Sequence, residues 1–270
     1  MILSLSSTEL RASARILAVL LASSVLVFHG NEAAAGEDEP GKTENAQVRG
    51  EEELLKGKAA YSRLDYESAA KHFALAAEQG NAEAQYLLGR CYTDGTGVEI
   101  DCPAAFKWSG KAAEQGNPEA QFVLGELYGH GLGVLKDVSK AEEWYGKAFP
   151  GLKRDAEKGD PEAQYFLAAS FSRGYGVEKN LKEAVKWYRK AAEQGNAQAQ
   201  YNLGLCYENG EGVKKDLIKA KEWYSTAAEQ GYYLAGMALE RLEESESESV
   251  GVSTTVQDAL RDVVHPATDD

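Results

Sequence analysis

The chain has 270 residues, of which 27% are charged and 43% hydrophobic, and its formal net charge is −14. This composition is typical of a soluble, globular protein. Such an acidic surface repels phosphate backbones, so it argues against nucleic acid as a partner and favours a basic protein or peptide.

The first 35 residues have the pattern of a secretory signal peptide. Arg11 and Arg15 precede an uncharged apolar run at 16–28, which is too short to span a bilayer comfortably, and Ala33-Ala34-Ala35 offers a cleavage site. We therefore predict a signal peptide at 1–35, a polar linker at 36–50 and an exported chain, periplasmic or secreted, with no membrane span after cleavage. A retained membrane anchor is the alternative.

A repeated phrase organises the rest of the chain. Gly80, Gly116, Gly159 and Gly195 are each followed by Asn or Asp, and the four tryptophans keep the same spacings of 36, 43 and 36 residues. A period of this length indicates stacked helical hairpins. The predicted units are 51–80, 81–116, 117–159, 160–195 and 196–231, then a capping helix at 232–243 and an acidic tail at 244–270 in which 253–264 could form a short helix.

Each unit has the signals of two helices joined by a loop. The junction glycine suits the left-handed residue that ends a helix, and the Asn or Asp after it caps the next helix. A Gly-x-Gly-Val loop such as 95–98 separates the two helices of the later units, and Asp101, Asp137, Asn180 and Asp216 are placed to cap the second. These loops lack the lysine and Ser/Thr of a phosphate-binding loop, so we predict turns.

The segment 191–213, AAEQGNAQAQYNLGLCYENGEGV, resembles the Sel-1-like repeat, a relative of the tetratricopeptide repeat. The resemblance covers about residues 53–243. It implies an all-α fold, a right-handed α-solenoid of stacked helix-turn-helix repeats, and a role as a scaffold or adaptor that binds other proteins. Some exported bacterial relatives are linked to β-lactam hydrolysis, so the resemblance also implies an envelope hydrolase as an alternative. A structural cell-envelope protein is a second alternative.

One face of the first helices is where the units differ most from each other. Its positions recur at offsets of four, three and four residues, which places them on one side of a helix, and first helices line the concave surface of tetratricopeptide-like arrays. We predict that this concave stripe binds a protein or peptide; the alternative is a solvated surface. Its residues are Glu83, Leu87, Arg90, Asp94, Glu119, Val123, Glu126, His130, Glu162, Phe166, Ala169, Arg173, Gln198, Asn202, Leu205 and Asn209.

Within the stripe, different residue types would contact a partner in different ways. Leu87, Val123, Phe166 and Leu205 are predicted to be apolar anchors. The charged members, among them Arg90 and Arg173, would set charge complementarity.

The three cysteines allow one disulfide, and the sequence does not decide whether it forms. Cys91 and Cys102 flank one loop and could pair across it. Against this, Cys91 and Cys206 share a repeat position with Leu127, where a cysteine packs as a small hydrophobic residue.

Signals for catalysis are few. Ser68-Ala69-Ala70-Lys71 matches the Ser-x-x-Lys motif of penicillin-binding enzymes, but no Ser-Asp-Asn or Lys-Thr-Gly motif accompanies it. No histidine pair or Cys/His cluster has metal-ligand spacing. We expect no metal and no cofactor, and the sequence leaves the oligomeric state open.

The unit 117–159 is seven residues longer than its neighbours, and the extra residues lie between Trp144 and Gly159. Seven residues would extend a helix by about two turns. Because Pro150-Gly151 falls inside this segment, we predict an interruption of the helix. The result would be either a bulge that forms a partner-specific surface or an indifferent surface insertion.

Overall fold

The computed structural model describes residues 40–244, with side chains from residue 47, and this part of the chain is all α-helix and turn. The helices α1 to α11 are Pro40–Ser62, Tyr66–Glu78, Ala82–Asp94, Cys102–Glu114, Pro118–His130, Val138–Glu157, Pro161–Arg173, Leu181–Glu193, Ala197–Asn209, Leu217–Glu229 and 233–244. The predicted signal peptide and the short helix predicted at 253–264 lie outside the described residues.

The helices pack as hairpins in chain order. The pairs α1–α2, α3–α4, α5–α6, α7–α8 and α9–α10 form the most extensive contacts, and each hairpin packs against the next. Three apolar clusters follow one another along the array and form its core. The predicted all-α solenoid of stacked hairpins is therefore confirmed.

The predicted helix ends are confirmed. The junction glycine Gly80 has a φ of +88°, and its counterparts in the later hairpins also have positive φ, the region that favours glycine. The Oδ1 of Asn81 accepts a hydrogen bond from the Ala84 N–H at 2.9 Å, and the Asn or Asp at each later junction caps its helix in the same way.

A buried glutamine explains the second residue of the repeated Ala-Gln phrase. The Nε2 of Gln85 donates to the Ala77 carbonyl at 3.1 Å, while its Oε1 accepts from Gln115 at 2.7 Å. Gln200 repeats both contacts. Each glutamine therefore ties a first helix to the hairpin before it, and its burial is tolerated because its polar atoms are paired.

The first helix is longer than predicted. It begins at Pro40, within the segment 36–50 predicted to be a linker. Its later part packs on α2 through Leu54 and Ala60, which are buried, and through Gly57, where a Cβ would lie 2.6 Å from the Phe73 ring.

The seven additional residues extend α6 rather than interrupt it. The helix runs without a break from Val138 to Glu157 with Pro150 inside it, so the predicted interruption is wrong. Leu152 and Ala156, on the added turns, are fully buried, so this is not an indifferent surface insertion either. The physical reason is that the apolar burial gained by the extra turns offsets the hydrogen bond that proline removes.

The tryptophans are on the second helices, where Trp187 is buried and the other three are half-buried. All four contact the apolar core. Lysine side chains lie over three of their rings, with Lys111 Nζ 4.6 Å from the Trp108 centroid and Lys147 Nζ 4.1 Å from the Trp144 centroid. Such cation–π contacts stabilise the tryptophan rings where they approach the surface.

Candidate functional site

The charged residues of the concave stripe are brought together, but largely against one another. Arg90 on α3 forms an ion pair with Glu162 on α7, which also accepts a hydrogen bond from the Tyr86 hydroxyl at 2.9 Å. Arg173 on α7 pairs with Glu126 on α5 at 2.7 Å. These contacts between first helices of different hairpins show that the stripe lies on the inner side of a tightly curved array.

Two apolar members of the stripe belong to the core. Phe166 is 6% exposed and packs on Phe122 with ring centroids 5.0 Å apart, and Ala169 is 2% exposed. The prediction that Phe166 is an anchor for a partner is therefore wrong, because the curvature presses neighbouring first helices together. Leu87, Val123 and Leu205 are only half-buried and keep the predicted accessibility.

A pocket of about 370 Å³ opens at the N-terminal end of the stripe. It lies between α1, α2 and α3, and the start of α7 closes one side. We call it the N-terminal pocket. Its lining residues are Lys58, Tyr61, Ser62, Phe73, Glu83, Leu87, Arg90, Cys91, Asp94, Thr96 and Glu162.

The cations of the N-terminal pocket are already neutralised. Lys58 pairs with Glu83 at 2.5 Å, and Arg90 pairs with Glu162. Asp94 forms no ion pair with any residue that the structure describes. Burial raises the pKa of the Asp94 carboxyl, and the Arg90 charge opposes this shift. A cation brought by a ligand would therefore find a carboxylate that is not fully compensated.

Glu119, farther along the stripe, is also uncompensated. Burial raises the pKa of its carboxyl to about 7, and the negative charge of Glu162 adds to this effect. Burial also raises the pKa of Glu126, but there Arg173 opposes the shift. The middle of the stripe thus holds two buried carboxyl groups, of which Glu126 has a cationic partner and Glu119 has none among the described residues.

The remaining stripe residues lie outside the N-terminal pocket. His130, Arg173 and Asn209 are exposed at the loop ends of α5, α7 and α9. The Nδ2 of Asn202 donates to the Gln198 carbonyl at 2.8 Å. The structure therefore places only the N-terminal part of the predicted stripe in the N-terminal pocket.

Several pocket residues were missed by the sequence comparison. Lys58, Tyr61 and Ser62 come from α1, the first helix of a unit that lacks the glycine loop and was not aligned with the others. Their offsets of three and four residues along α1 are the signal that could have identified them.

The three cysteines are free thiols, so the possible disulfide between Cys91 and Cys102 is not formed. Cys91 faces the core of the α2–α3 contact, whereas Cys102 is the first residue of α4. Burial raises the pKa of the Cys91 thiol to about 11 and that of Cys206 to about 12. Both behave as small apolar core residues.

The Ser-x-x-Lys match lies at the start of α2. The Ser68 backbone N–H donates to the capping carboxylate of Asp65 at 3.2 Å, and Lys71 forms an exposed ion pair with Glu67 at 2.8 Å. These contacts are those of an ordinary helix N-terminus. Among the side chains that the structure describes, no group of three or more His, Cys, Asp and Glu could hold a metal ion. No helix within residues 40–244 is long and apolar enough to cross a bilayer.

Stacked antiparallel hairpins with capped junctions and a concave inner face define an α-helical repeat solenoid. The Sel1 repeat model matches residues 50–81, 82–117, 118–149, 161–196 and 197–232. The chain therefore belongs to the Sel1 repeat family, whose members are typically protein-interaction scaffolds.

Solved structures of this family are similar to the chain. A Sel1 repeat protein from Oxalobacter formigenes is 36% identical, over 70% of this chain and 74% of that one, with a TM-score of 0.44. The protective antigen c5321 of uropathogenic Escherichia coli is 34% identical over 76% of this chain and 42% of its own length, with a TM-score of 0.41. No curated protein matches the chain.

Proposed function

We propose that the protein is an exported scaffold that binds a protein or peptide in the N-terminal pocket of its concave stripe and catalyses no reaction. The observation that carries this proposal is the pocket itself. Its volume of about 370 Å³ is within the usual range for ligand sites, and it lies on the inner face where the first helices converge.

The chemistry of the N-terminal pocket favours a segment that carries an apolar and a basic side chain. Leu87, Phe73 and Tyr61 provide apolar walls. Both cations of the pocket are neutralised by acidic neighbours, whereas Asp94 is not paired within the described residues. A lysine or arginine of the partner would supply the missing charge, and the acidic net charge of the chain would favour its approach.

Peptide selection tests this proposal. A randomised peptide library is selected on the immobilised full chain, and the Kd of an enriched peptide is measured by fluorescence anisotropy. We expect enrichment of Lys or Arg beside an apolar residue, and at least a tenfold weaker Kd for Leu87→Asp. Ile218→Asp adds the same charge at a site that is 74% exposed on α10 and controls for charge alone, while circular dichroism checks that Leu87→Asp is folded. Unchanged binding by Leu87→Asp, or enrichment of acidic peptides, would overturn the proposal.

Charge is tested separately from shape. Asp94→Asn should weaken the same peptide about tenfold and flatten the salt dependence of its Kd, because the desolvated ion pair is lost. Glu114→Gln changes the net charge equally at an exposed site on α4 and should leave the Kd within twofold.

Export is supported by the residues 1–35 alone. Expression of the full chain in a bacterium, followed by cell fractionation and N-terminal sequencing, should give a periplasmic or secreted product that begins near Gly36. A cytoplasmic product that begins at Met1 would contradict export. Hydrolysis of a β-lactam by the pure protein that disappears in Ser68→Ala would contradict the absence of catalysis.

A further inference from the structure

The longer α6 changes where the following hairpin sits. In three other hairpins, the second glycine of the Gly-x-Gly-Val loop packs on the second helix of the hairpin before it. The glycine lies so close to the carbonyl of that helix's first residue that a Cβ on the glycine would overlap this carbonyl. These pairs are Gly97 with Tyr66, Gly133 with Cys102 and Gly212 with Leu181. On α6, Gly176 lies instead against the Tyr145 carbonyl, seven residues beyond the first residue, Val138.

The other end of the same interface is displaced equally. In the other hairpins, the glutamine of the Ala-Gln phrase donates to a carbonyl on the second helix of the hairpin before it. That carbonyl lies eleven residues past the start of the helix, at Ala77, Ala113 and Ala192. Gln164 donates instead to Ala156, eighteen residues past Val138. The hairpin α7–α8 is therefore moved along α6 by seven residues, which is about 10 Å.

This displacement leaves the first two turns of α6, residues 138–144, without the loop that covers the equivalent turns elsewhere. A pocket of about 280 Å³ lies over the start of α6, between the loop 131–137 and the loop 174–180. We call it the notch. Val138 is 56% exposed there and Leu135, on the adjoining loop, is 89% exposed. The residues equivalent to Leu135 in the other long units are Glu99, Glu178 and Lys214.

The floor of the notch is rigid. The rings of Tyr145 and Tyr175 stack with centroids 3.9 Å apart and an interplanar angle of 5°. Arg173 is held by Glu126 at 2.7 Å. A surface that is already ordered loses little entropy when it binds.

We propose that the notch is a docking site for a loop of another protein in which a glycine is next to an aliphatic residue. This is the chemistry that covers the equivalent turns of α2, α4 and α8, where a glycine approaches the helix carbonyl and Val98 or Val213 packs on the core. The four Gly-x-Gly-Val loops that the structure describes are poor occupants, because each is already packed on its own neighbour. The site does not depend on the N-terminal pocket.

The probe is a synthetic peptide with the sequence of residues 94–100, DGTGVEI, titrated into the full chain labelled on Leu and Val methyl groups and followed by NMR. We expect saturable shifts of the Val138 and Leu135 methyls. A peptide with alanine in place of the second glycine should bind at least fivefold more weakly, because its Cβ would overlap the helix carbonyl.

Two variants make the test decisive. Deletion of 151–157 restores the 36-residue period, so the loop 174–180 should cover Val138 and the peptide shifts should be lost, with circular dichroism as the check on folding. Val138→Asp should weaken binding at least fivefold, whereas Leu75→Asp, at an exposed site on α2, should not. Equal binding of the alanine peptide, or Leu135 methyl shifts unchanged in Val138→Asp, would overturn the proposal.

Discussion

Arg90 on α3 and Glu162 on α7 form an ion pair across the inner side of the array, although 72 residues and a complete hairpin separate them. Both side chains are mostly buried, with 28% and 31% exposure. The pair therefore joins two hairpins that are not neighbours, and it also forms one wall of the N-terminal pocket.

Removal of Arg90 should destabilise the protein. Arg90→Ala leaves Glu162 partly buried without its cation, so we expect a loss of about 1–3 kcal/mol in the free energy of unfolding. Urea denaturation followed by circular dichroism measures it. The control is Lys71→Ala, whose ion pair with Glu67 is more than 70% exposed, and whose unfolding midpoint should not change. Equal midpoints for the two variants would show that the Arg90 pair is not structural.

Two glycines of the α5–α6 hairpin should respond to alanine with opposite signs. A Cβ at Gly125 would lie 2.6 Å from the Tyr145 ring, whereas a Cβ at Gly146 meets nothing within 4 Å. We expect Gly125→Ala to cost about 1–3 kcal/mol through overpacking. Gly146→Ala should stabilise by about 0.5–1 kcal/mol because alanine favours the helix. Thermal and urea unfolding measure both, and the same sign for both would contradict the packing described.

Glu119 should make stability depend on pH. Burial raises the pKa of its carboxyl to about 7, above about 4.3 in an unfolded chain. Between these values the folded protein keeps a proton that the unfolded chain has lost, so stability falls as pH rises from about 4.5 to about 7. Glu119→Gln should remove up to about 4 kcal/mol of this fall.

Urea unfolding of Glu119→Gln and wild type at several pH values measures this difference. Glu114→Gln, at an exposed site, should follow the wild type throughout. A Glu119→Gln profile parallel to the wild type would mean that Glu119 titrates normally.

The thiols should react with alkylating agents in a fixed order. Burial raises the pKa of all three, but Cys102 is the least enclosed, at the first residue of α4. With iodoacetamide at pH 8 we expect Cys102 to be modified first and Cys91 and Cys206 only on unfolding, as measured by peptide mass spectrometry. Recovery of a linked Cys91–Cys102 peptide would contradict the free thiols.

Much of the fold could be predicted because its signals are local. The caps at Asn81 and Asp101 and the left-handed Gly80 depend only on adjacent residues, and the 36-residue period repeats them. The burial of Phe166 could not be predicted in this way, because it depends on how tightly successive hairpins curve. The start of α1 at Pro40 was missed because the segment before Glu51 has no repeat to compare with.

The continuity of α6 was missed for an energetic reason. Proline inside a helix costs about 3 kcal/mol, which on its own predicts a break at Pro150. Burial of a leucine side chain such as Leu152 contributes about 1.5–3 kcal/mol, and the extra turns also bury Ala156. The two contributions are of similar size, and only the tertiary contacts decide between them.

The length of the addition to α6 has a geometric consequence. At about 100° per residue, seven residues rotate a helix by nearly two full revolutions, so the side that faces α7 keeps facing it. Five residues would have turned that side by roughly 140° away. Solenoids of this kind can therefore accept insertions that lengthen a helix by close to whole turns, and they reject insertions of intermediate length. Each accepted insertion shifts the next hairpin along the helix and creates a recess in an otherwise uniform array.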